Sequence, residues 1–143
     1  RVILSRGWAD LGLVDQASDC IAIDDVNHQA LFPRVATVVH HGGAGTTTAA
    51  ARAGTAQVAV PMFSDQFYWG ARIRNLGIGG AVPFAELSVT ALAAALRSAL
   101  EPGVVARARA VAESVTANGA AIAARRLVED YGVTAPNRSP GQP

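Results

Sequence analysis

The stretch VVHHGGAGTTTAA, Val38 to Ala50, joins a β-branched run to a glycine-rich turn and then to a run of threonine and alanine. The valines predict a short buried strand, and the residues after the glycines predict a helix that begins at the turn. Such a helix start offers backbone amides and the positive end of the helix dipole to an anion, most often a phosphate. The stretch therefore predicts a strand–turn–helix unit with a phosphate site at its joint.

Composition narrows the function classes. The chain has 143 residues, the size of one domain, and its formal net charge of +1 gives no electrostatic case for nucleic acid or an anionic membrane. A single cysteine, Cys20, cannot form an internal disulfide, and no apolar run reaches the roughly 18 residues of a membrane span. We therefore expect a cytoplasmic protein without a transmembrane segment; membrane association of the full-length protein stays open.

The residue usage and the start of the chain indicate its origin. All twelve basic residues are arginine and alanine is abundant, which is typical of a high-GC bacterial genome. The chain begins at Arg1 without a methionine and enters an apolar run at once. We expect a fragment of a longer bacterial protein.

Strand and helix patterns alternate along the chain. Apolar and β-branched runs predict strands over 1–5, 20–24, 36–41, 56–61 and 79–84. Helical patterns lie over 43–53, 65–76, 88–100, 104–115 and 119–132, with a short helical turn before Pro33 and Asp25 as a candidate N-cap. Because no two strands are joined by a hairpin-length turn, the pattern predicts an α/β, Rossmann-like, three-layer fold with a parallel sheet and helices on both faces. We place this single domain at residues 1–131 and predict a disordered tail over 132–143.

The candidate ligand site follows from this predicted topology. In an open parallel sheet, ligands bind beyond the carboxyl ends of the strands. That edge would carry four segments that are distant in sequence, namely 5–8, 24–28, 41–46 and 61–66. In the third segment the glycines would let the backbone approach a ligand closely, and His41 and the Thr46 hydroxyl could donate to phosphate oxygens.

Two other glycine-rich phosphate-binding motifs, the P-loop and the dinucleotide fingerprint, fit these residues less well. A P-loop needs a lysine, and this chain contains none. The dinucleotide fingerprint fits Gly43 and Gly45 but meets Thr48 at its third glycine, and its acid about twenty residues on would be Asp65, which follows a loop instead of ending a strand. A dinucleotide site, and a glycine turn that serves packing alone, remain open at this point.

The residues also resemble a known family. RGWADL, VNHQALFPRVATVVHHGGAGTTTAAARAGTAQVAVPMFSDQFYWGARIRNLGIG and the closing helix look like the C-terminal half of family-1 glycosyltransferases with the two-domain B-type (GT-B) fold. The resemblance spans residues 1 to about 131 and is strongest toward the bacterial enzymes that glycosylate antibiotic aglycones and toward sterol and glycolipid glucosyltransferases.

The resemblance implies a set of donor-binding residues. The diphosphate would be held by His41, Gly43, Ala44, Gly45 and Thr46, the nucleoside by Trp8, Val26, Asn27 and His28, and the donor sugar by Asp65 and Gln66. Where many relatives carry a ribose-binding glutamate, this chain has Ala49. His40 is expected to be structural, and Phe67, Tyr68 and Trp69 are expected to make core or interdomain contacts.

The implied activity is an inverting hexosyltransferase that moves a hexose from a UDP- or dTDP-sugar to a hydroxyl of a lipophilic acceptor. The acceptor and the catalytic base would belong to an N-terminal half, so we expect no catalytic residue in this chain and no turnover by it alone. Neither a metal nor a cofactor beyond the nucleotide sugar is expected, and nucleic acid is not an expected partner. Two alternatives stay open: a non-catalytic nucleotide- or dinucleotide-binding Rossmann module, and a truncated, inactive relic.

Overall fold

The computed structural model describes residues 1–7, 11–13, 15, 17–116 and 118–132. Its strands are β1 (Val2–Ser5), β2 (Cys20–Ile23), β3 (Thr37–His40), β4 (Ala56–Ala59) and β5 (Gly79–Ala81). Its α-helices are α1 (His28–Leu31), α2 (Ala44–Arg52), α3 (Gln66–Asn75), α4 (Val89–Ala99), α5 (Pro102–Ser114) and α6 (Gly119–Tyr131). Two short 3-10 helices cover Phe32–Arg34 and Phe84–Glu86. The predicted alternation of strands and helices holds from β2 to α4, whereas no helix is described between β1 and β2 and three α-helices follow β5. The predicted disorder of residues 133–143 lies outside the described residues.

All described strand pairs are parallel, as predicted. β1 pairs with β2 from Val2↔Cys20 to Ser5↔Ile23. β4 lies between β3 and β5 in a three-stranded sheet. The backbone hydrogen bonds of the described residues thus divide the strands between two small sheets, whereas the sequence pattern alone predicted one.

Strand β4 is the centre of the larger sheet, and all four of its residues are buried. Ala56 and Val58 pack against α4, where Ala99 is buried and Leu92 and Leu96 complete the cluster. Ala59 points to the opposite face, because side chains alternate along a strand. There it packs with residues of α2, α3 and α5, namely Ala51, Ile73, Ala108 and Val111. Helices therefore cover both faces of the sheet.

Helix ends follow the local capping chemistry. Ser88 caps α4 by accepting a hydrogen bond from the Ala91 amide at 3.1 Å. Helix α6 ends at Gly132, whose φ of +60° is the left-handed conformation that glycine adopts at helix ends. Asn27 caps α1, so the prediction of Asp25 as the cap was wrong: the helix starts two residues later than the aspartate requires.

Apolar side chains remain exposed outside this core. In the β1–β2 sheet Val2, Ile3 and Ile21 are exposed, and α6 has no buried residue. Among the described helices, none is by itself long and apolar enough to cross a membrane; α4 and α5, which meet at a 65° bend, meet that criterion only as a pair and only on length and composition.

The β4–β5 contact requires a glycine, which gives a direct test of the fold. Gly79 has a φ of +151°, and a Cβ there would collide with the backbone carbonyl of Gln57 on β4. We expect Gly79→Ala to lower the free energy of unfolding by about 3 kcal/mol or more, since neither strand can move without breaking the ladder. Urea denaturation measures the loss.

The matched control is Gly80→Ala in the same strand, where an added Cβ meets no atom within 4 Å. We expect its free energy of unfolding to stay within about 1 kcal/mol of the unsubstituted chain. Equal effects of the two substitutions would contradict the close approach of β5 to Gln57.

Candidate functional site

The glycine-rich turn presents backbone amides to solvent. Gly43 is the N-cap of α2, and the first helical hydrogen bond runs from the Thr47 amide to the Gly43 carbonyl at 3.0 Å. The amides of Ala44, Gly45 and Thr46 therefore have no acceptor within the helix. Gly43 brings no capping side chain, and the first turn of α2 contains no acidic residue. These amides and the helix dipole form a donor set suited to an anion.

The three glycines of the turn differ in what an added side chain would meet. Gly42 has a φ of +90°, and a Cβ there would lie 3.0 Å from the Gln66 carbonyl oxygen. At Gly43 a Cβ would meet the imidazole of His41, an exposed side chain that folds back over the turn and is able to move aside. Gly45 has neither reason: it lies in α2, its φ is not positive, and a Cβ there would meet no atom within 4 Å. Alanine would favour the helix at this position, so neither the backbone nor packing explains the glycine.

The side chains next to the turn differ in exposure. His41 is exposed and Thr46 is half-buried. Thr47 is buried, and its Oγ1 has no hydrogen-bond partner in the described residues. His41 and Thr46 are thus the two polar side chains of the turn that a ligand can reach directly.

His40, at the end of β3, holds the turn from behind. Its Nδ1 accepts a hydrogen bond from the Gly42 amide at 3.0 Å, and its Nε2 lies 2.9 Å from Gln57 Oε1. Because a backbone amide can only donate, Nδ1 carries no proton and the neutral ring carries it on Nε2. Burial is the main cause that lowers the pKa of His40 from 6.5 to about 4; the bond to Gln57 opposes this change, and His41 and His28 add to it.

Gln57 completes this arrangement from the neighbouring strand. Its side chain is fully buried on the face of β4 that carries α2 and α3, and its Oε1 accepts from His40. The Nε2 of the same amide is buried with no hydrogen-bond partner. An unpaired buried amide of this kind costs roughly 1–3 kcal/mol.

Asp65 and Gln66 follow β4 and open α3. The Asp65 carboxylate is exposed and accepts a hydrogen bond from Trp69 Nε1 at 3.1 Å. Gln66 is 6% exposed, and its Oε1 accepts from the amides of Met62 at 2.8 Å and Phe63 at 3.2 Å. The Gln66 side chain therefore shapes the loop before α3, and its Nε2 has no partner among the described residues. Because the Gln66 backbone lies against Gly42, the structure brings this pair next to the turn.

The carboxyl ends of β1 and β2, at the edge of the smaller sheet, form a second candidate region. A cavity of about 380 Å³ is lined by Arg6, Gly7, Asp24 and Asp25, and Arg6 Nε lies 3.4 Å from Asp24 Oδ1. The parallel pairing of β1 with β2 places these two loops side by side.

The predicted nucleoside segment follows this edge. Val26 is exposed, and the Asn27 side chain accepts from the Gln29 amide at 2.9 Å. The His28 ring stacks on Phe32 with a centroid distance of 4.6 Å. Phe32 packs on Val38 and Ala50, so this segment is anchored to β3 and α2. Trp8 lies outside the described residues.

The sequence of this domain matches a known family over residues 9–129, which is described as the Erythromycin biosynthesis protein CIII-like, C-terminal domain. The chain belongs to this family. It is 54% identical over 129 residues to the vancomycin aglycone glucosyltransferase of Amycolatopsis orientalis, covering 90% of this chain and 32% of that protein. It is 44% identical over 107 residues to a sterol 3-beta-glucosyltransferase of Arabidopsis thaliana, covering 73% of this chain and 17% of that protein. The resemblance to family-1 glycosyltransferases is thereby confirmed.

Solved structures agree on the fold of this CIII-like domain. The glycosyltransferase VinC in complex with dTDP superposes with a TM-score of 0.70 and 30% identity, over 82% of this chain and 31% of that one. A glycotransferase of kitacinnamycin superposes with a TM-score of 0.74 at 24% identity, over 90% of this chain and 34% of that one. The chain spans about a third of the length of the first of these curated relatives.

Sequence reasoning missed two residues of the site. Gln57 was passed over as part of an apolar strand; the signal was an amide in an otherwise apolar run. Trp69 was assigned to core or interdomain contacts, yet its indole donates to Asp65, one helical turn away. Across the described residues, no group of three or more His, Cys, Asp or Glu side chains is arranged to hold a metal ion.

The lowered pKa of His40 predicts a loss of stability toward acid. In the unfolded chain His40 takes up its proton near pH 6.5, but in the folded chain only near pH 4. The folded state therefore binds fewer protons than the unfolded state between these two pH values. The contribution of neutral His40 to the free energy of unfolding is complete above pH 6.5 and falls as the pH drops toward 4. The difference corresponds to about 3 kcal/mol. Urea denaturation across this range measures it.

His40→Asn is the control for this loss, because asparagine does not titrate. Carboxylates also gain protons in acid, so the informative quantity is the difference between the two pH profiles. We expect the variant to lose stability less steeply between about pH 7 and pH 5. Parallel profiles would contradict a neutral His40 in the folded chain.

Proposed function

We propose that this chain is the donor-binding domain of an inverting glycosyltransferase, which transfers a hexose from a UDP- or dTDP-sugar to a hydroxyl of a lipophilic acceptor. Support comes from the relatives, which include a vancomycin aglycone glucosyltransferase, a sterol 3-beta-glucosyltransferase and a glycosyltransferase in complex with dTDP. The acceptor would bind to a part of the protein beyond this chain. A cytoplasmic location is part of the proposal, supported by a lone, free cysteine.

The observation that carries the proposal is Gly45. The fold does not require glycine at position 45, and the missing side chain leaves the backbone at the helix start open to a ligand. Gly45 stands among amides that lack helical acceptors and beside the exposed His41. In this proposal the diphosphate lies on the amides of Gly43 to Thr46, with His41 and the Thr46 hydroxyl as further donors.

The remaining donor contacts follow from the neighbouring loops. The exposed Asp65 carboxylate would accept from hydroxyls of the hexose, and the Gln66 amide nitrogen would donate to one. The indole of Trp69 keeps that carboxylate in place. Val26, Asn27 and His28 would line the nucleoside together with Trp8.

The chemistry assigned to this domain is stabilisation of the leaving group. Transfer with inversion passes through an oxocarbenium-like transition state, comparable to that of glycoside hydrolysis. Negative charge grows on the departing nucleoside diphosphate, and preorganised amides and His41 stabilise it without a metal or a further cofactor. The base that removes the acceptor proton is proposed to lie outside this chain, which would not turn over alone.

The test is titration calorimetry of the chain with UDP and dTDP. We expect dissociation constants in the micromolar-to-millimolar range of enzyme ligands. Gly45→Ala should weaken binding about tenfold or more, because a methyl group would separate the diphosphate from the backbone. The same variant should unfold with equal or up to about 1 kcal/mol higher free energy, because alanine favours the helix. Unchanged affinity would contradict the ligand role of Gly45.

His41→Ala is the companion variant in this experiment. Loss of one charge-assisted hydrogen bond, roughly 1.5–3 kcal/mol, should weaken UDP binding about 10- to 150-fold. Uridine lacks the diphosphate and should bind with equal affinity to the unsubstituted chain and to His41→Ala. Binding of NAD in place of UDP and dTDP would favour the dinucleotide module.

Asp65 gives a separate prediction about the sugar. We expect Asp65→Ala to weaken UDP-glucose or dTDP-glucose binding about tenfold while leaving the affinity for the bare diphosphate unchanged. Trp69→Phe keeps an aromatic ring but removes the Nε1 donor, so it should cause a smaller loss in the same direction. Equal losses for the sugar nucleotide and the bare diphosphate would contradict the assignment of Asp65 to the sugar.

A further inference from the structure

We propose that His40 and Gln57 form a positioning pair: through one hydrogen bond to the Gly42 amide, they set the conformation of the turn that presents His41 and the amides of α2. This inference rests on the proposed diphosphate role of the turn. Neither residue is expected to touch the ligand.

The first step is the position of Gly42 between the two halves of the site. Its amide donates to His40 Nδ1 at 3.0 Å, and its Cα side lies against the Gln66 backbone. Gly42 also has a φ of +90°. Because glycine adopts positive and negative φ about equally readily, the residue type alone does not select this conformation. A single hydrogen bond therefore selects the backbone path of the turn and its distance from Asp65 and Gln66.

The second step is the proton on the His40 ring. Nδ1 can accept from Gly42 only when the ring is neutral and protonated on Nε2. Gln57 Oε1, at 2.9 Å from Nε2, favours that tautomer over the alternative. If Nδ1 carried the proton, its N–H would face the N–H of the Gly42 amide, and two donors cannot form a hydrogen bond with each other.

The third step is the unpaired end of Gln57. The side chain is fully buried and its Nε2 has no partner in the described residues. An apolar side chain of similar size would avoid this cost at a position between β3 and β5. Residues that break a local rule of stability are concentrated at functional sites, and here the polar end that does have a partner faces His40.

The test uses two substitutions of His40 that separate its two nitrogens. The Oδ1 of His40→Asn occupies the region of Nδ1 and can still accept from the Gly42 amide. His40→Gln reaches the region of Nε2 instead, so it can bond Gln57 but leaves Gly42 without its acceptor. We expect His40→Gln to raise the hydrogen-exchange rate of the Gly42 amide and the dissociation constant of UDP about tenfold each, and His40→Asn to stay within about threefold of the unsubstituted chain in both.

Gln57→Met provides a second arm that does not depend on those variants. It exchanges one unpaired group, Gln57 Nε2, for another, His40 Nε2, so the urea midpoint should change little. ¹⁵N chemical shifts of the His40 ring should report proton on Nε2 in the unsubstituted chain and a mixture of tautomers in Gln57→Met. The Gly42 amide should then exchange faster and UDP should bind more weakly.

The outcomes separate this inference from the proposed function. Equal behaviour of His40→Gln and His40→Asn, or an unchanged tautomer in Gln57→Met, would overturn the positioning role. If the unsubstituted chain binds neither UDP nor dTDP, the proposed function fails, and the Gly42 exchange rates and ring shifts still decide whether the pair sets the turn.

Discussion

Burial of β4 on both faces is the constraint on which the rest of this domain depends. The strand is completely buried, it pairs with β3 and β5, and it receives α4 on one face and α2, α3 and α5 on the other. A strand in this position can carry small and β-branched residues at little cost, as Ala56, Val58 and Ala59 do. It can carry a polar residue only if that residue is hydrogen-bonded. Gln57 meets this condition with one end of its amide and not with the other.

The candidate site lies at one edge of that sheet. Parallel pairing of β3 with β4 brings the glycine turn and the loop before α3 to the same edge, although about twenty residues separate them in sequence. Contact between Gly42 and the Gln66 backbone then joins the two loops. The parts with rigid support, His40, Gln57 and Gln66, are buried or half-buried, whereas His41 and Asp65 are exposed. The buried residues therefore lie behind the surface and the exposed candidate ligand contacts in front of it, an arrangement suited to a preorganised site.

Most of the fold could be predicted because its signals are local. The run of valines before His40, the glycines after it and the Ser88 cap each act within a few residues, so strand and helix positions follow from short patterns. Asp25 shows the limit of this reasoning, since it was the predicted cap but the helix begins two residues later and Asn27 caps it. The division of the strands into two sheets was also not predictable, because strand pairing depends on contacts between distant segments.

The candidate site, like the fold, has features that local sequence determines and features that depend on contacts between distant segments. The sequence by itself determined the turn, its donors and the absence of a P-loop lysine, because residue type and spacing decide which backbone conformations and hydrogen bonds are available locally. Only the tertiary structure decided which way the side chains point: Gln66 turns into its own loop, Trp69 reaches back to Asp65, and His40 meets Gln57 across two strands. The physical reason is that a hydrogen bond between distant residues depends on the distance and angle that packing imposes, and these are not encoded in the identity of either residue alone.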